Sequence, residues 1–237
     1  NAKGKTIMNE ATTIPKAPPG NSLKMLRAMV GIGILCALMI VLTFEGTRPI
    51  IKQNQAEALQ RAIFEVLPGT AATQPFQLEN GTFTAVEGER KEGELVYAGY
   101  GEDGTLTGVA IEARGQGYAD IIRILYGYDP EAQTVVGFRV LESKETPGLG
   151  DKIEKAPHFL ANFEALDVSL NEDRTGLANE VVTVKQGEKE QPWQVEGITG
   201  ATISSRAIGD IINKSAARWA PLILKNTETL AQGAQGD

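Results

Sequence analysis

An uncharged run of 17 residues, 28–44, limits the possible folds of this chain more than any other part of its sequence. As a helix this run is about 25 Å long, and Met25 and Leu26 extend it toward the ~30 Å thickness of a bilayer core. It is apolar on every face, which disfavours a core helix of a globular protein. The charged segment before it is long for a signal peptide, and no small-residue cleavage site follows. The sequence predicts a retained transmembrane helix over residues 23–45.

The distribution of charge around this run indicates how it crosses the membrane. Residues 1–44 carry five basic side chains and one acidic side chain, a net charge of +4, and the remainder has a net charge of −11, giving the total of −7. Basic residues concentrate on the cytoplasmic side of membrane helices. We therefore expect a cytoplasmic tail over 1–22 and a domain on the periplasmic, extracytoplasmic side of the bacterial inner membrane. The acidity of that domain argues against a nucleic-acid partner.

The scarcity of cysteine and histidine excludes several kinds of redox centre. Cys36 and His158 are the only residues of their types. An iron–sulfur cluster held by this chain and a haem attachment motif both require more thiols, and an isolated histidine does not form a metal site. The sequence predicts no metal site, so a redox centre would be organic or shared with another chain.

The residues after the apolar run alternate between β-rich segments and turns. Pro49 suits the first turn of a helix, and Pro68-Gly69 ends the helical spacing, so residues 46–69 are interpreted as a stalk helix. Turn signals at Asp103-Gly104 and Asp129-Pro130 imply antiparallel strands. Strands are predicted at 82–86, 94–100, 106–113, 121–126, 134–141 and 181–185, and helices at 157–166 and from about residue 204.

These elements predict an α+β fold. A single N-terminal transmembrane helix precedes an extracytoplasmic domain, residues 70–226, in which helices pack on a mainly antiparallel sheet. Residues 227–237 are polar and small, which is typical of a flexible tail.

The segment 195–212 combines a turn of small residues with the start of a helix. Thr202 lies where the loop enters the helix. The first N–H groups of a helix lack carbonyl partners and its dipole is positive there, so a phosphate is stabilised without a lysine. Gly200 and Ala201 are expected to keep the approach to the Thr202 hydroxyl open. An ordinary turn with a Thr or Ser N-cap is the alternative.

Residues 199–202, Thr-Gly-Ala-Thr, resemble the Ser/Thr-Gly-Ala-Thr signature at which a flavin transferase esterifies the last threonine with the phosphate of FMN. Two membrane families carry it, the Rnf electron-transport complex and the related sodium-pumping NADH:quinone reductase. In these families an Asp usually lies three residues before the first Ser/Thr of the signature. In this sequence that position is Glu196. Residues 144–154 resemble the Glu-Thr-Pro-Gly-Leu-Gly segment of the same families, and their continuation is more similar to the G subunit of Rnf than to the C subunit of the quinone reductase.

The resemblance implies an FMN-binding domain with FMN bound covalently to Thr202 through its phosphate. The other cofactor-binding residues would be Thr199, Gly200 and Ala201 beside the attachment point and Glu145, Thr146, Gly148 and Leu149 around the flavin ring. No catalytic acid, base or nucleophile is then required, because the flavin itself accepts and passes electrons.

The resemblance also implies a role in a larger assembly. The chain would be the electron-carrying subunit of an ion-translocating ferredoxin:NAD⁺ oxidoreductase, an enzyme complex with other membrane and iron–sulfur or flavin subunits. A flavin transferase would be needed for maturation. Two alternatives stay open: the equivalent subunit of the sodium-pumping quinone reductase, and a flavin-free, membrane-anchored assembly or binding module.

Overall fold

The computed structural model describes residues 22–86 and 94–233 of the 237-residue chain. The helices are α1 (Ser22–Val66), α2 (Pro157–Leu160), α3 (Thr202–Lys225) and α4 (Thr227–Gln232), with 3₁₀ turns at Gly150–Glu154 and Ala161–Phe163. The strands are β1 (Ala72–Glu79), β2 (Thr82–Ala85), β3 (Leu95–Tyr100), β4 (Leu106–Gln116), β5 (Ile121–Asp129), β6 (Thr134–Glu142), β7 (Leu166–Asp167), β8 (Val182–Val184) and β9 (Gln194–Glu196).

The N-terminal part of α1 is apolar and exposed. Every large hydrophobic side chain from Leu23 to Phe44 is at least half exposed. Within the described part of the chain, α1 is the one helix that is long and apolar enough to cross a membrane. Apolar surface is favoured in hydrocarbon over water by roughly 25 cal/mol per Å², so this surface favours a bilayer environment. The helix is a candidate membrane anchor.

Helix α1 continues through Pro49, where the sequence predicts the first turn of a separate stalk helix. Proline holds φ near a helical value, but inside a helix it lacks one N–H donor and crowds the preceding turn, so its presence within α1 carries an energetic cost. The expected boundary between the membrane helix and the stalk is nonetheless not a break in the helix. The chain divides into two compact units between Gln53 and Asn54.

The unit that begins at Asn54 is built on a seven-stranded antiparallel sheet with the order β2-β1-β3-β4-β5-β6-β7. Both faces of this sheet are covered. Along β5, Leu125 packs with the C-terminal turns of α1, whereas Ile124 and Tyr126 pack in the larger core that includes α3. A Cβ atom at Gly127 would lie 2.0 Å from the Val66 carbonyl oxygen, so the close approach of α1 to the sheet requires glycine there. The predicted α+β class and antiparallel pairing are confirmed.

Strands β2 to β6 and β8 lie within a few residues of their predicted positions. Strand β1 has no prediction because it contains Pro75 and several polar residues, a composition that disfavours strands. Pro75 lies just outside the four residues of β1 that pair with β2, so its missing N–H does not interrupt that ladder.

The predicted helix over 157–166 is wrong in extent. Helix α2 ends at Leu160, a 3₁₀ turn follows, and Leu166 pairs with Val135 in the sheet. Phe159 and Phe163 are fully buried, with their ring centroids 5.2 Å apart. Aromatic packing of both rings thus favours a compact turn over a regular helix at this point.

The C-terminal segment contains helix α4, although the sequence predicts a flexible tail over 227–237. The Leu230 side chain is fully buried, and the Tyr100 hydroxyl donates a hydrogen bond to the Leu230 carbonyl oxygen at 2.5 Å. These contacts with a strand 130 residues away in sequence stabilise the helix. The rest of the predicted tail, 234–237, and residues 1–21 of the predicted cytoplasmic tail lie outside the described residues.

Candidate functional site

Hydrogen bonds of the Ser205 side chain stabilise the turn between β9 and α3 on the side that faces the protein core. This side chain is fully buried; its hydroxyl donates to the Ala201 carbonyl oxygen at 2.9 Å and accepts from the Ile198 N–H at 3.1 Å. Gly200 has a φ of +86°, a left-handed conformation that favours glycine. Ala201 is buried in the core, so it closes the turn from inside and does not form an open approach.

Thr202 is the first residue of α3, and its side chain is exposed. The N-cap residue is Ala201, which makes no side-chain capping bond, so the Thr or Ser cap of the alternative interpretation does not occur at this helix start. Within the described part of the chain, the Thr202 hydroxyl has no hydrogen-bond partner. The first backbone bond of the helix runs from the Ser205 N–H to the Ala201 carbonyl oxygen, which leaves the preceding N–H groups available to an anion.

Thr202 lines a cleft of about 340 Å³ formed by β8, the segment after it and the start of α3. Two basic side chains line the same cleft. Arg206 lies one helical turn beyond Thr202, and Lys185 follows β8, where it pairs loosely with Glu188 at 3.7 Å. Glu188 also lines the cleft and offsets part of the charge of Lys185. The helix N-terminus and Arg206 therefore supply most of the positive potential that stabilises a negatively charged group there.

The opposite wall of the cleft is tied to the Thr-Gly-Ala-Thr motif by side-chain hydrogen bonds. The Thr199 hydroxyl donates to Gln186 Oε1 at 3.0 Å, and Glu196 Oε1 accepts from the Gly187 N–H at 2.7 Å. The Glu196 side chain thus helps to hold the turn over residues 185–188.

A buried amide anchors the backbone of Glu196. Asn162 Oδ1 accepts from the Glu196 N–H at 2.9 Å, and Asn162 Nδ2 donates to the Glu196 carbonyl oxygen at 3.1 Å. Lys189 Nζ also donates to Asn162 Oδ1 at 3.2 Å. Burial lowers the pKa of Lys189, an effect that the nearby charge of Glu196 partly opposes. These contacts hold the Glu196 backbone in place at the base of the site.

The Pro-Gly-Leu-Gly segment forms a tight turn after β6. The Leu149 N–H donates to the Thr146 carbonyl oxygen at 3.2 Å, and Gly148 has a φ of +78°. Leu149 is 51% exposed, and Thr146 and Gly148 are also exposed. Glu145 differs from these three residues because it is buried, with 6% of its surface exposed.

The fold brings the two motifs together. The Ser204 hydroxyl, two residues beyond Thr202, donates a short hydrogen bond to Glu145 Oε2. Sequence reasoning missed Ser204 and the exposed apolar residues Tyr118 and Ile203 nearby. A signal existed for Tyr118, because the Gly-Gln-Gly-Tyr sequence over 115–118 has two glycines in four residues, which predicts a loop. Ile203 lies in the amphipathic segment that follows the motif, where an apolar residue is ordinary, so the sequence gives no sign that its side chain is exposed.

Comparisons with known proteins agree with these features. An FMN-binding domain model matches residues 117–217, which include both motifs. The chain is 31% identical over 192 residues to the G subunit of the ion-translocating oxidoreductase complex of Methanosarcina acetivorans, covering 81% of this chain and 91% of that relative. It is 32% identical over 165 residues to the protein of the same name in Escherichia coli K12, covering 68% and 74%.

The fold is also found among solved structures. The crystal structure of NqrC from Shewanella oneidensis aligns with a TM-score of 0.56 over 78% of this chain and 100% of that chain. The sequence identity is 17%, so this likeness concerns the fold alone.

Proposed function

Since the chain belongs to the family of G subunits of ion-translocating oxidoreductase complexes, we propose that it is the membrane-anchored, FMN-carrying electron-transfer subunit of such a complex. The observation that carries this proposal is the exposed Thr202 hydroxyl at the start of α3, inside the region that matches an FMN-binding domain. The identity to relatives of this name over most of their length supports the assignment to the complex.

FMN is bound covalently, with its phosphate esterified to the Thr202 hydroxyl. Three features support this attachment: the hydroxyl has no partner within the described residues, the adjoining helix N–H groups are available, and Arg206 and Lys185 line the same cleft. A phosphodiester retains one negative charge, which the helix dipole and these cations stabilise. The phosphate end of FMN therefore fits this cleft.

The exposed apolar side chains near the start of α3 fit the flavin ring. Leu149 and Ile203 are more than half exposed. Each directly precedes a residue that lies beside the Glu145 carboxyl group, Gly150 and Ser204 respectively. An aromatic ring that covers them would remove apolar surface from water. Thr146 and the backbone of the Pro-Gly-Leu-Gly turn would contact its polar edge.

The bound FMN supplies the electron acceptance and donation, and the residues of the chain hold it in place. Thr202 prevents its loss into an open compartment, since release would require hydrolysis of a covalent bond. Ser205, Asn162 and Gly200 fix the backbone that presents Thr202. A rigid mount reduces the reorganisation that accompanies each electron transfer, which suits a carrier between other subunits.

The position of the chain in the complex follows from its helix and its charge. Helix α1 anchors it in the membrane, with the N-terminus in the cytoplasm and the acidic domain outside. Electrons are exchanged with other membrane and iron–sulfur or flavin subunits, and a flavin transferase attaches the FMN. A reporter fused after Asp237 should be active only outside the cytoplasm; activity inside would reverse the proposed orientation.

The decisive experiment is the intact mass of the chain purified from cells with and without a flavin transferase. We expect the mass of one FMN phosphoester only with the transferase, flavin absorbance that survives denaturation, and a modified peptide that contains Thr202. A chain that carries no flavin under both conditions would favour the flavin-free assembly module. Isolation of the native complex then identifies the partners, and recovery with quinone-reductase subunits would contradict the proposed place in an Rnf-type complex.

A further inference from the structure

Glu145 connects three separate segments of the candidate site through its carboxyl group. Oε2 accepts the hydrogen bond from the Ser204 hydroxyl in the first turn of α3, and Oε1 accepts from the Ala119 N–H at 3.0 Å. Both Glu145 and Ser204 are buried. A carboxyl group at this depth is stable only where its oxygens are satisfied, so these two contacts also hold the segments that supply them.

The Glu145 side chain fits in its buried position because two of its neighbours are glycines, which have no Cβ atom. A Cβ atom on Gly117 would lie 2.5 Å from Glu145 Oε1, and one on Gly150 would lie 2.6 Å from Glu145 Oε2. The loop over 117–120 and the end of the Pro-Gly-Leu-Gly turn therefore pack directly on the carboxyl group. An ion pair also connects this loop to the residue that precedes Glu145, because Lys144 Nζ lies 2.5 Å from Asp120 Oδ2.

Each connected segment also presents an exposed apolar side chain. Tyr118 precedes Ala119, Leu149 precedes Gly150 and Ile203 precedes Ser204, and their exposed fractions are 66%, 51% and 55%. These three residues that contact the buried Glu145 carboxyl group are thus each preceded by an exposed apolar side chain, and the three lie on separate segments.

We infer that Glu145 and Ser204 are a positioning pair that sets the relative placement of Tyr118, Leu149 and Ile203, and that Tyr118 is a further residue of the flavin-binding surface. The assignment of that surface to flavin rests on the proposed function. In this arrangement Glu145 faces the protein interior and acts through the segments that it joins. It does not line the flavin ring, which the resemblance of its segment would imply.

The test compares hydrogen exchange in variants of the 237-residue chain, purified in detergent and made without a flavin transferase. In Glu145→Ala and Ser204→Ala we expect the Ala119 amide and residues 146–150 to exchange about tenfold faster, which corresponds to about 1.4 kcal/mol of local stability. Glu145→Gln keeps an acceptor for Ala119 and offers an N–H to Ser204, so its exchange should stay near that of the wild type.

Ser215→Ala is the matched control. It removes another side-chain hydrogen bond of α3, the one between the Ser215 and Tyr126 hydroxyls at 2.8 Å, and it does not alter the Glu145–Ser204 pair. It should leave exchange at 117–120 and 146–150 unchanged. The double variant Glu145→Ala/Ser204→Ala should exchange no faster than the more affected single variant, because each substitution already breaks the pair.

A second measurement uses the flavinylated chains and reports on position. The visible absorption bands and the redox midpoint potential should shift in Ser204→Ala and in Tyr118→Ala, and should remain unchanged in Ser215→Ala. Unchanged exchange in both Glu145→Ala and Ser204→Ala, or an equal effect of Ser215→Ala, would overturn the positioning pair. An unchanged spectrum and potential in Tyr118→Ala would remove Tyr118 from the surface. A wild-type chain without flavin would defeat the proposed function and the flavin assignment of this surface, while the exchange results would still decide the pair.

Discussion

Thr202 and Ser205 are hydroxyl residues in the first turn of α3, but Thr202 is exposed and Ser205 is buried. Replacing each by alanine therefore distinguishes a residue that attaches FMN from one that stabilises the fold. Thr202 is exposed and has no hydrogen-bond partner within the described residues, so Thr202→Ala should change the free energy of unfolding by less than about 0.5 kcal/mol. Ser205 is fully buried and makes two hydrogen bonds. Ser205→Ala leaves the buried Ile198 N–H unsatisfied, which costs about 1–3 kcal/mol.

These energies correspond to distinct melting temperatures. For a domain of this size, a loss of about 2 kcal/mol lowers the melting temperature by roughly 4–8 °C. We therefore expect Ser205→Ala to melt several degrees below the wild type and Thr202→Ala to melt within about 2 °C of it. Melts are recorded on the chains made without a flavin transferase, so that bound flavin does not contribute.

Covalent flavin should show the opposite pattern in chains made with the transferase. After denaturing electrophoresis, in-gel fluorescence should be absent from Thr202→Ala and present in Ser205→Ala. Thr199→Ala, which loses only an exposed hydrogen bond to Gln186, should reduce the signal less than Thr202→Ala. A fluorescent band in Thr202→Ala would move the attachment site to another residue. A loss of several degrees in Thr202→Ala would show that its hydroxyl has a structural role.

Three further predictions concern the rest of the chain. Leu149 is half exposed, so Leu149→Ala should lose only about 1 kcal/mol of stability while shifting the flavin potential by some tens of millivolts in a redox titration; an unchanged potential would make Leu149 a purely structural residue. A chain that begins at Pro49 should stay soluble without detergent in gel filtration, and aggregation would reveal a second membrane contact. The hydrogen bond from Lys144 lowers the pKa of Asp120 below its ordinary 3.8, so the stability from this pair is present above that pH and is lost as the pH falls through the lower folded-state value. The difference in melting temperature between wild type and Asp120→Asn should accordingly shrink below pH 3.8, and a difference that persists would refute the ion pair as its cause.

Several features of this protein depend on neighbouring residues and could be predicted from the sequence. The uncharged run in α1 has the length of a membrane span, and alternating strands with turns at Asp103-Gly104 and Asp129-Pro130 specify antiparallel hairpins. The Thr-Gly-Ala-Thr motif at the start of an amphipathic helix was likewise visible, because a helix start is specified by a few consecutive residues. Periodicity and turn chemistry are local properties, so they can be read without the fold.

Other features join residues that are distant in the chain, and these required the folded structure. Glu145 meets Ser204 across 59 positions, and α4 is ordered by a hydrogen bond from Tyr100 across 130. Strand β1 forms despite Pro75 because β2 pairs with only part of it, and the helix predicted over 157–166 gives way to the packing of Phe159 on Phe163. In each case the free energy comes from burial and hydrogen bonds made with remote segments, which outweigh the preferences of the local sequence.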